Sequence, residues 1–306
     1  MNIQDYRREV EERIERETAE EESSAALASA APDDEVQEAR RLSQTAREDK
    51  DGINRLFEIL KNAASAPDAR RAALAALQLF RFNSELLNRK RAGYIDALRT
   101  AVENGDQQLR ERVLETLAQE KDEYAQRRLL EGLTGQSEPL VSTAKAIQLL
   151  GYDIHAEHFP LLREIAQKSD DPTARREAVR LLSADPTSAD LLKEIFQKKD
   201  ESAEVRRASA NALLTVAPQE FEQRAKEVAL DETDTESVRA TSLTALAHFG
   251  NPTDIAEDAD FVEKVDKLEA PPPDAALAGV MPEGAEVEEG ELEKAIRTFK
   301  SRHRRR

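Results

Sequence analysis

Six nine-residue stretches recur along the middle of this chain at nearly fixed intervals. ARRAALAAL starts at Ala69, LRERVLETL at Leu109, VSTAKAIQL at Val141, ARREAVRLL at Ala174, VRRASANAL at Val205 and VRATSLTAL at Val238, so the start-to-start steps are 40, 32, 33, 31 and 33 residues. A period in this range marks a stacked array, in which one supersecondary unit is copied and each copy buries its apolar face on the next. Between the copies lie other apolar sets at helical spacing: Ile53, Leu56, Phe57 and Leu60; Ile95, Leu98 and Val102; Leu129, Leu130 and Leu133; Leu161, Leu162 and Ile165; Leu191, Leu192 and Ile195; Phe221, Ala225 and Val228. The chain therefore reads as outer helices alternating with six inner ones. A lone helix of this length is marginal in water, so stacking is what makes the pattern stable. The long first step carries FRFNSELLNRK from Phe80, an insertion expected to add a turn or lengthen the loop after the first inner helix.

Composition agrees with close helix packing. Hydrophobic residues make up 39% of the chain and aromatic ones only 4%, which favours Ala- and Leu-rich helices over a β-rich core. The net charge of −17 argues against unspecific binding of the body to DNA or to an anionic membrane. Cysteine is absent, which removes disulfides, thiolate metal sites and cysteine nucleophiles. No apolar run approaches the roughly 20 residues that a spanning helix needs. The charged N-terminus lacks an apolar signal core, so a cytoplasmic location is expected.

The flanks differ from the repeats. Residues 1–50 read as an N-terminal helical extension. Its first helix, over 2–22, has an Ile3, Tyr6, Val10 and Ile14 stripe; a linker follows near 23–33, and a second helix runs over 34–48. Residues 51–268 are the repeat body, with a single capping helix expected over 254–268 and no inner partner for it. Residues 269–290 are rich in Pro, Gly and Glu and read as a flexible linker. Residues 291–306 read as a short amphipathic helix with Leu292, Ile296 and Phe299 on one side, ending in the basic run SRHRRR.

The second residue of the motif is Arg in five of the six copies, at Arg70, Arg110, Arg175, Arg206 and Arg239, with Ser142 the exception. An acidic turn precedes each inner helix, at Asp68, Asp106, Glu138, Asp170 with Asp171, Asp200 with Glu201, and residues 231–236. Val205-Arg206 after Asp200 and Val238-Arg239 after Asp231 carry a resemblance to HEAT repeats. Ala174-Arg175, Ala69-Arg70 and Leu109-Arg110 match more loosely over the stretch 51–250. The resemblance implies an all-α fold, a right-handed α-solenoid of antiparallel helix pairs. It implies a structural role for those five Arg, with Asp200 paired to Arg206 and Asp170 to Arg175. It also implies a noncatalytic scaffold or adaptor that binds a protein or peptide on its concave face. A HEAT-like lyase for a tetrapyrrole-carrying protein is the enzymatic alternative.

Positions three and seven of each motif are expected to face the partner. They read Arg71 and Ala75, Glu111 and Glu115, Thr143 and Ile147, Arg176 and Arg180, Arg207 and Asn211, Ala240 and Thr244. Arg71, Arg176, Arg180, Arg207 and Asn211 are the candidate contacts, and the Arg176, Arg180 and Arg207 island suits an acidic peptide, because guanidinium pairs bidentately with carboxylate or phosphate. The competing reading pairs these Arg with Glu177 and Glu204 as surface ion pairs. Lys300, Arg302, Arg304, Arg305 and Arg306 form a basic tail suited to an acidic partner, to the acidic body or to nucleic acid, the only part of the chain for which nucleic acid is expected. His155 and His158 in HAEH lack a clear third ligand, so neither metal nor cofactor is expected. No catalytic glycine or nucleophile motif appears.

Overall fold

The computed structural model describes residues 32–45, 50–80, 84–268 and 290–303. The 2–22 helix and Arg304, Arg305 and Arg306 lie outside the described residues. Every regular element among the described residues is helical, and the chain divides into two compact units, 1–153 and 154–306.

The first unit contains α1 (Pro32–Thr45), α2 (Lys50–Lys61), α3 (Pro67–Phe80), α4 (Ser84–Asn104), α5 (Gln107–Gln119), α6 (Glu123–Leu133) and α7 (Thr143–Leu150). Helices α2, α4 and α6 pair with α3, α5 and α7, while α3, α5 and α7 also stack on one another as an inner row. Helix α1 packs along α3 at the end of that row. Its Glu35, 2% exposed, accepts from the Ser65 hydroxyl and the Ala66 N–H at the start of α3. The two helix starts thus lie together, and α1 runs parallel to α3 and closes the row with a polar outer face, as the end of an array requires. The 40-residue step resolves into a long outer helix: α4 has 21 residues and absorbs part of the insertion. Between α5 and α6 the chain turns in under four residues through Lys121 at φ 55°, with Asp122 N–H returning to Leu117 C=O.

The second unit contains α8 (Phe159–Lys168), α9 (Pro172–Leu182), α10 (Ala189–Gln197), α11 (Ala203–Val216), α12 (Pro218–Leu230), α13 (Glu236–Phe249), α14 (Pro252–Glu257), α15 (Ala259–Lys267) and α16 (Glu291–His303). Helices α9, α11 and α13 form its inner row, and α10 and α12 pack as outer neighbours. The segment 254–268 is two helices rather than one. The break is at Asp258, whose carboxylate accepts from Phe261 N–H and pairs with Lys226, so the local capping bond outcompetes a continuous helix. Nor does α15 lack an inner partner, since α16 packs against both α13 and α15. Gly290 lies beside Glu236 at the start of α13, and Arg302 donates to Ala247 C=O near its end. Helix α16 therefore runs parallel to α13, in the place the next inner helix would take.

Burial fixes the register of the motif. Its fifth, sixth, eighth and ninth residues are buried in every copy, as Ala73, Leu74, Ala76 and Leu77 show in α3 and Ser209, Ala210, Ala212 and Leu213 in α11. Helix α7 obeys the rule only if its copy starts at Ser142, one residue later than read from sequence, which makes Ala146, Ile147, Leu149 and Leu150 the core set. Ser142 is then an N-cap, its hydroxyl accepting from Lys145 N–H at 3.3 Å. The helix has lost its first turn, so no side chain there can take the structural Arg's place.

Candidate partner-binding face

The second-position arginines build the framework that carries this face. In four copies Nε donates to a carbonyl at the end of the preceding outer helix: Arg70 to Leu60, Arg110 to Val102, Arg206 to Phe196 and Arg239 to Ala229, at 2.8 to 3.2 Å. Arg175 reaches Ser169 C=O, at the end of α8, through Nη1. The last carbonyls of a helix have no intrahelical donor, and a cation there also faces the negative end of the macrodipole.

In three copies the far end of the guanidinium reaches forward toward the next turn, whereas Arg110 turns back to Gly105 C=O. Arg206 grips both carboxylate oxygens of Asp234 at 2.5 and 2.6 Å, Arg175 takes Glu201 at 2.7 Å, and Arg70 binds the Asn104 carbonyl. The expected Asp200–Arg206 and Asp170–Arg175 pairs do not form. With Nε held at the preceding helix end, the fork points along the stack, away from Asp170 and Asp200, which are exposed on their own turns. The tie is thus between one repeat and the next.

Several carboxylates in these ties and in the neighbouring turns of the second unit titrate low. Lys199, with the hydroxyl and N–H of Thr233, holds Asp231 at about 2. Burial pushes Asp185, Glu201, Asp234 and Asp258 upward, but the donors on each (Ser188 and Thr187, Arg175, Arg206, and Lys226) outweigh it and hold each below its ordinary value. A carboxylate depressed in the folded state adds stability that is complete above its unfolded value of about 4 and is lost as pH falls through the folded one. Stability should therefore drop between about pH 4 and pH 2. In the first unit Glu103, beside Arg128, is likewise held below its ordinary value. Amide exchange on acidification should accordingly show α9–α15 losing protection before α2–α6, and the reverse order would contradict this assignment.

The outward positions of the motif are mostly open to solvent. Ala75, Thr143, Arg180, Asn211 and Thr244 are exposed; Arg71, Glu111, Glu115, Arg176 and Arg207 are half-buried. Two expectations fail. Ile147 is fully buried, because the register shift puts it at a core position and leaves Gln148 outward; Ala240 is buried on α13, which carries α16 alongside.

Arg71 and Arg176 act alike. Each reaches from one inner helix to an acid at the start of the next, Arg71 to Asp106 and Arg176 to Glu204, both at 2.9 Å, with a second acid, Asp68 or Glu177, on its own helix. Such surface pairs contribute about 0–1 kcal/mol each. Arg180 donates only Nε to Glu177, at 2.9 Å, and its side chain is 53% exposed. Arg207 makes no ion pair within 4 Å among the described residues, and Asn211 one turn on is exposed. The island is therefore three cations against Glu177 and Glu204, with donors on Arg180 and Arg207 that no described residue takes up.

The tail residues are split. Lys300 donates to Asp266 C=O at 2.8 Å and Arg302 to Ala247 C=O at 3.4 Å, so both bind helix-end carbonyls of their own unit. His155 and His158 form an edge-to-face pair in which the buried His158 Nδ1 accepts from His155 N–H. Among the described residues no group of three His, Asp or Glu is placed to hold a metal, and no helix is long and apolar enough to cross a membrane.

Antiparallel helix pairs in register, bound by an arginine in five of the six copies, define a helical-repeat protein. Residues 127–213 match the family model of HEAT repeats, which supports a HEAT-repeat reading of that stretch with no particular member implied. No curated protein matches the chain.

Proposed function

We propose that this chain is a noncatalytic adaptor whose inner-helix face in the second unit takes an acidic segment of a partner protein. HEAT repeats are commonly protein-interaction scaffolds, and an all-α HEAT fold is typically non-enzymatic. The observation that carries the reading is the donor set on adjacent helices α9 and α11. Among the described residues Arg180 donates through Nε alone and Arg207 makes no ion pair, and the exposed amide of Asn211 lies one turn on from Arg207, on a chain with net charge −17. A planar fork of donors recognises carboxylate in a way the surrounding acidic surface repels.

The test is affinity capture from the native cell with the full chain and with an Arg180→Glu/Arg207→Glu variant. Arg176 is left alone because it ties α9 to Glu204. Partner capture should fall at least tenfold, and capture by the parent chain should weaken with salt. Thermal unfolding of the variant should match the parent, since neither residue is buried. Equal capture by both chains would remove the island from the reading.

A further inference from the structure

The burial pattern of the motif continues past its ninth residue. The eleventh residue is exposed in all six copies, with the third counted from Ser142: Leu79, Gln119, Tyr152, Ala184, Thr215 and His248. It stands four residues beyond the seventh and so shares its outward face. Four copies fill this position with a small or polar side chain, and two with a large apolar one. Among the described residues the exposed large apolar side chains are Leu79 at 62%, Tyr152 at 44% and Phe249. Apolar side chains scattered singly over a surface are ordinary. Here two of the three fall on one motif position, in one inner row of the first unit.

The helix ends that carry them are held side by side. The Gln78 amide donates to the Thr116 hydroxyl at 2.9 Å, which joins the ends of α3 and α5. Tyr152 sits in the short helical turn that continues α7, Gly151–Asp153, and Lys121, just past α5, donates to Asp153 at 3.1 Å. Ala75, one turn before Leu79, is exposed and extends the apolar end of α3. Between the two apolar ends lies α5 with Glu111 and Glu115. Glu111 accepts from the Gln107 amide at 3.3 Å. Glu115 is half-buried and has no ion pair within 4 Å among the described residues, although Arg112 and Lys145 stand on the same helices. A carboxylate partly withdrawn from water, without a counter-charge, lies between two apolar anchors.

We propose that the α3–α5–α7 face is a docking surface for an extended segment of a partner protein, apolar at two places six residues apart and basic between them. Packed helices stand about 8–10 Å apart, so Leu79 and Tyr152 are about 16–20 Å apart across α5. Six residues of extended chain cover about 20 Å and return to the same side. A Lys or Arg two or four residues after the first anchor points to that side as well and supplies the cation that Glu115 lacks. Apolar anchors with a complementary charge set the fit of such a contact. The surface takes the opposite charge from the α9–α11 island and does not rest on it.

The test is a display selection of random dodecapeptides on the full chain. Enriched sequences should carry apolar residues six apart, with Lys or Arg two or four after the first. A synthetic peptide of that pattern should bind the parent at least tenfold more tightly than a Leu79→Ser/Tyr152→Ser chain in fluorescence anisotropy. Glu115→Gln should weaken binding and flatten its salt dependence. Both apolar residues are exposed, so thermal unfolding of the double variant should match the parent. Should that variant unfold, Ala75→Arg, at an exposed position beside Leu79, replaces it. Arg180→Glu/Arg207→Glu should leave the peptide's affinity unchanged, which separates this face from the island. Enrichment without that spacing, equal affinity for parent and variants, or loss of binding on the island variant would overturn the proposal. So would apolar pairs about eleven apart, the spacing at which a helix covers the same distance. A parent dimer abolished by Leu79→Ser/Tyr152→Ser would overturn it too, and would assign the face to a second copy.

Discussion

Replacing Arg206 with alanine is expected to lower the unfolding free energy by about 3–5 kcal/mol in a urea titration, the cost of breaking a buried ion pair from one side. The side chains of Arg206 and Asp234 are 1% and 2% exposed, and the guanidinium meets the carboxylate in two short bonds while Nε satisfies Phe196 C=O. Alanine would strand a buried carboxylate and a helix-end carbonyl together. Lysine should recover only part of the loss, because one ammonium cannot span both acceptors as the planar fork does. The effect also has a pH signature. Asp234 titrates below its ordinary value because the Arg206 fork and the Thr235 N–H outweigh its burial. Below about pH 4 the stranded carboxylate of the variant can take a proton and cease to be a buried charge, so the gap between variant and parent should narrow. A gap under about 1 kcal/mol at neutral pH, or one that widens on acidification, would show that Arg206 does not tie the repeats together.

Most of the array was legible because each copy repeats the same burial. Apolar positions at helical spacing placed the inner and outer helices, and Val205-Arg206 and Val238-Arg239 pointed to the structural arginines. What failed was fine register and long-range pairing. VSTAKAIQL begins with an apolar residue like the other copies, yet its helix starts at a serine cap, so Ile147 moved from the face to the core. A one-residue slip is invisible where Val141 and Ser142 offer equally good starts. The pairing of Arg206 with Asp234 escaped notice because the nearer acid, Asp200, lies in the right turn by sequence but on the wrong side of the guanidinium. The seat of α16 could not be read across the Pro-rich stretch from 269, because an apolar stripe shows that a helix wants cover without showing which neighbour provides it. The two outward-facing donors, Arg180 and Arg207, were legible as charges. That Glu177 and Glu204 engage Arg176 and part of Arg180, leaving Arg207 without an ion pair among the described residues, needed the packing of α9 on α11.

Truncating Phe221 to alanine should cost about 3–5 kcal/mol, the range for a large aromatic removed from a close-packed core. Phe221 is 1% exposed and Phe196 0%, and their rings stack at 6.1 Å with an 18° interplanar angle, joining outer helices α10 and α12. Leucine at 221 keeps much of the volume and should cost less than about 1.5 kcal/mol. In a stack each helix touches only its neighbours, so the damage should also be local. Hydrogen exchange should lose most protection in α10–α13 and less in α8. A uniform loss across the second unit, or a cost below about 1 kcal/mol, would mean that the stacked rings fill space without holding the row. The same ring also bears on the arginine tie. Phe196 presents its side chain to Phe221 and its carbonyl to Arg206 Nε, so both substitutions act on one residue. Once Phe221 is gone and the end of α10 is free to shift, that carbonyl no longer holds Nε in line with Asp234. The Arg206→Ala/Phe221→Ala double variant should then lose less than the sum of the single losses, by about 0.5–3 kcal/mol of coupling.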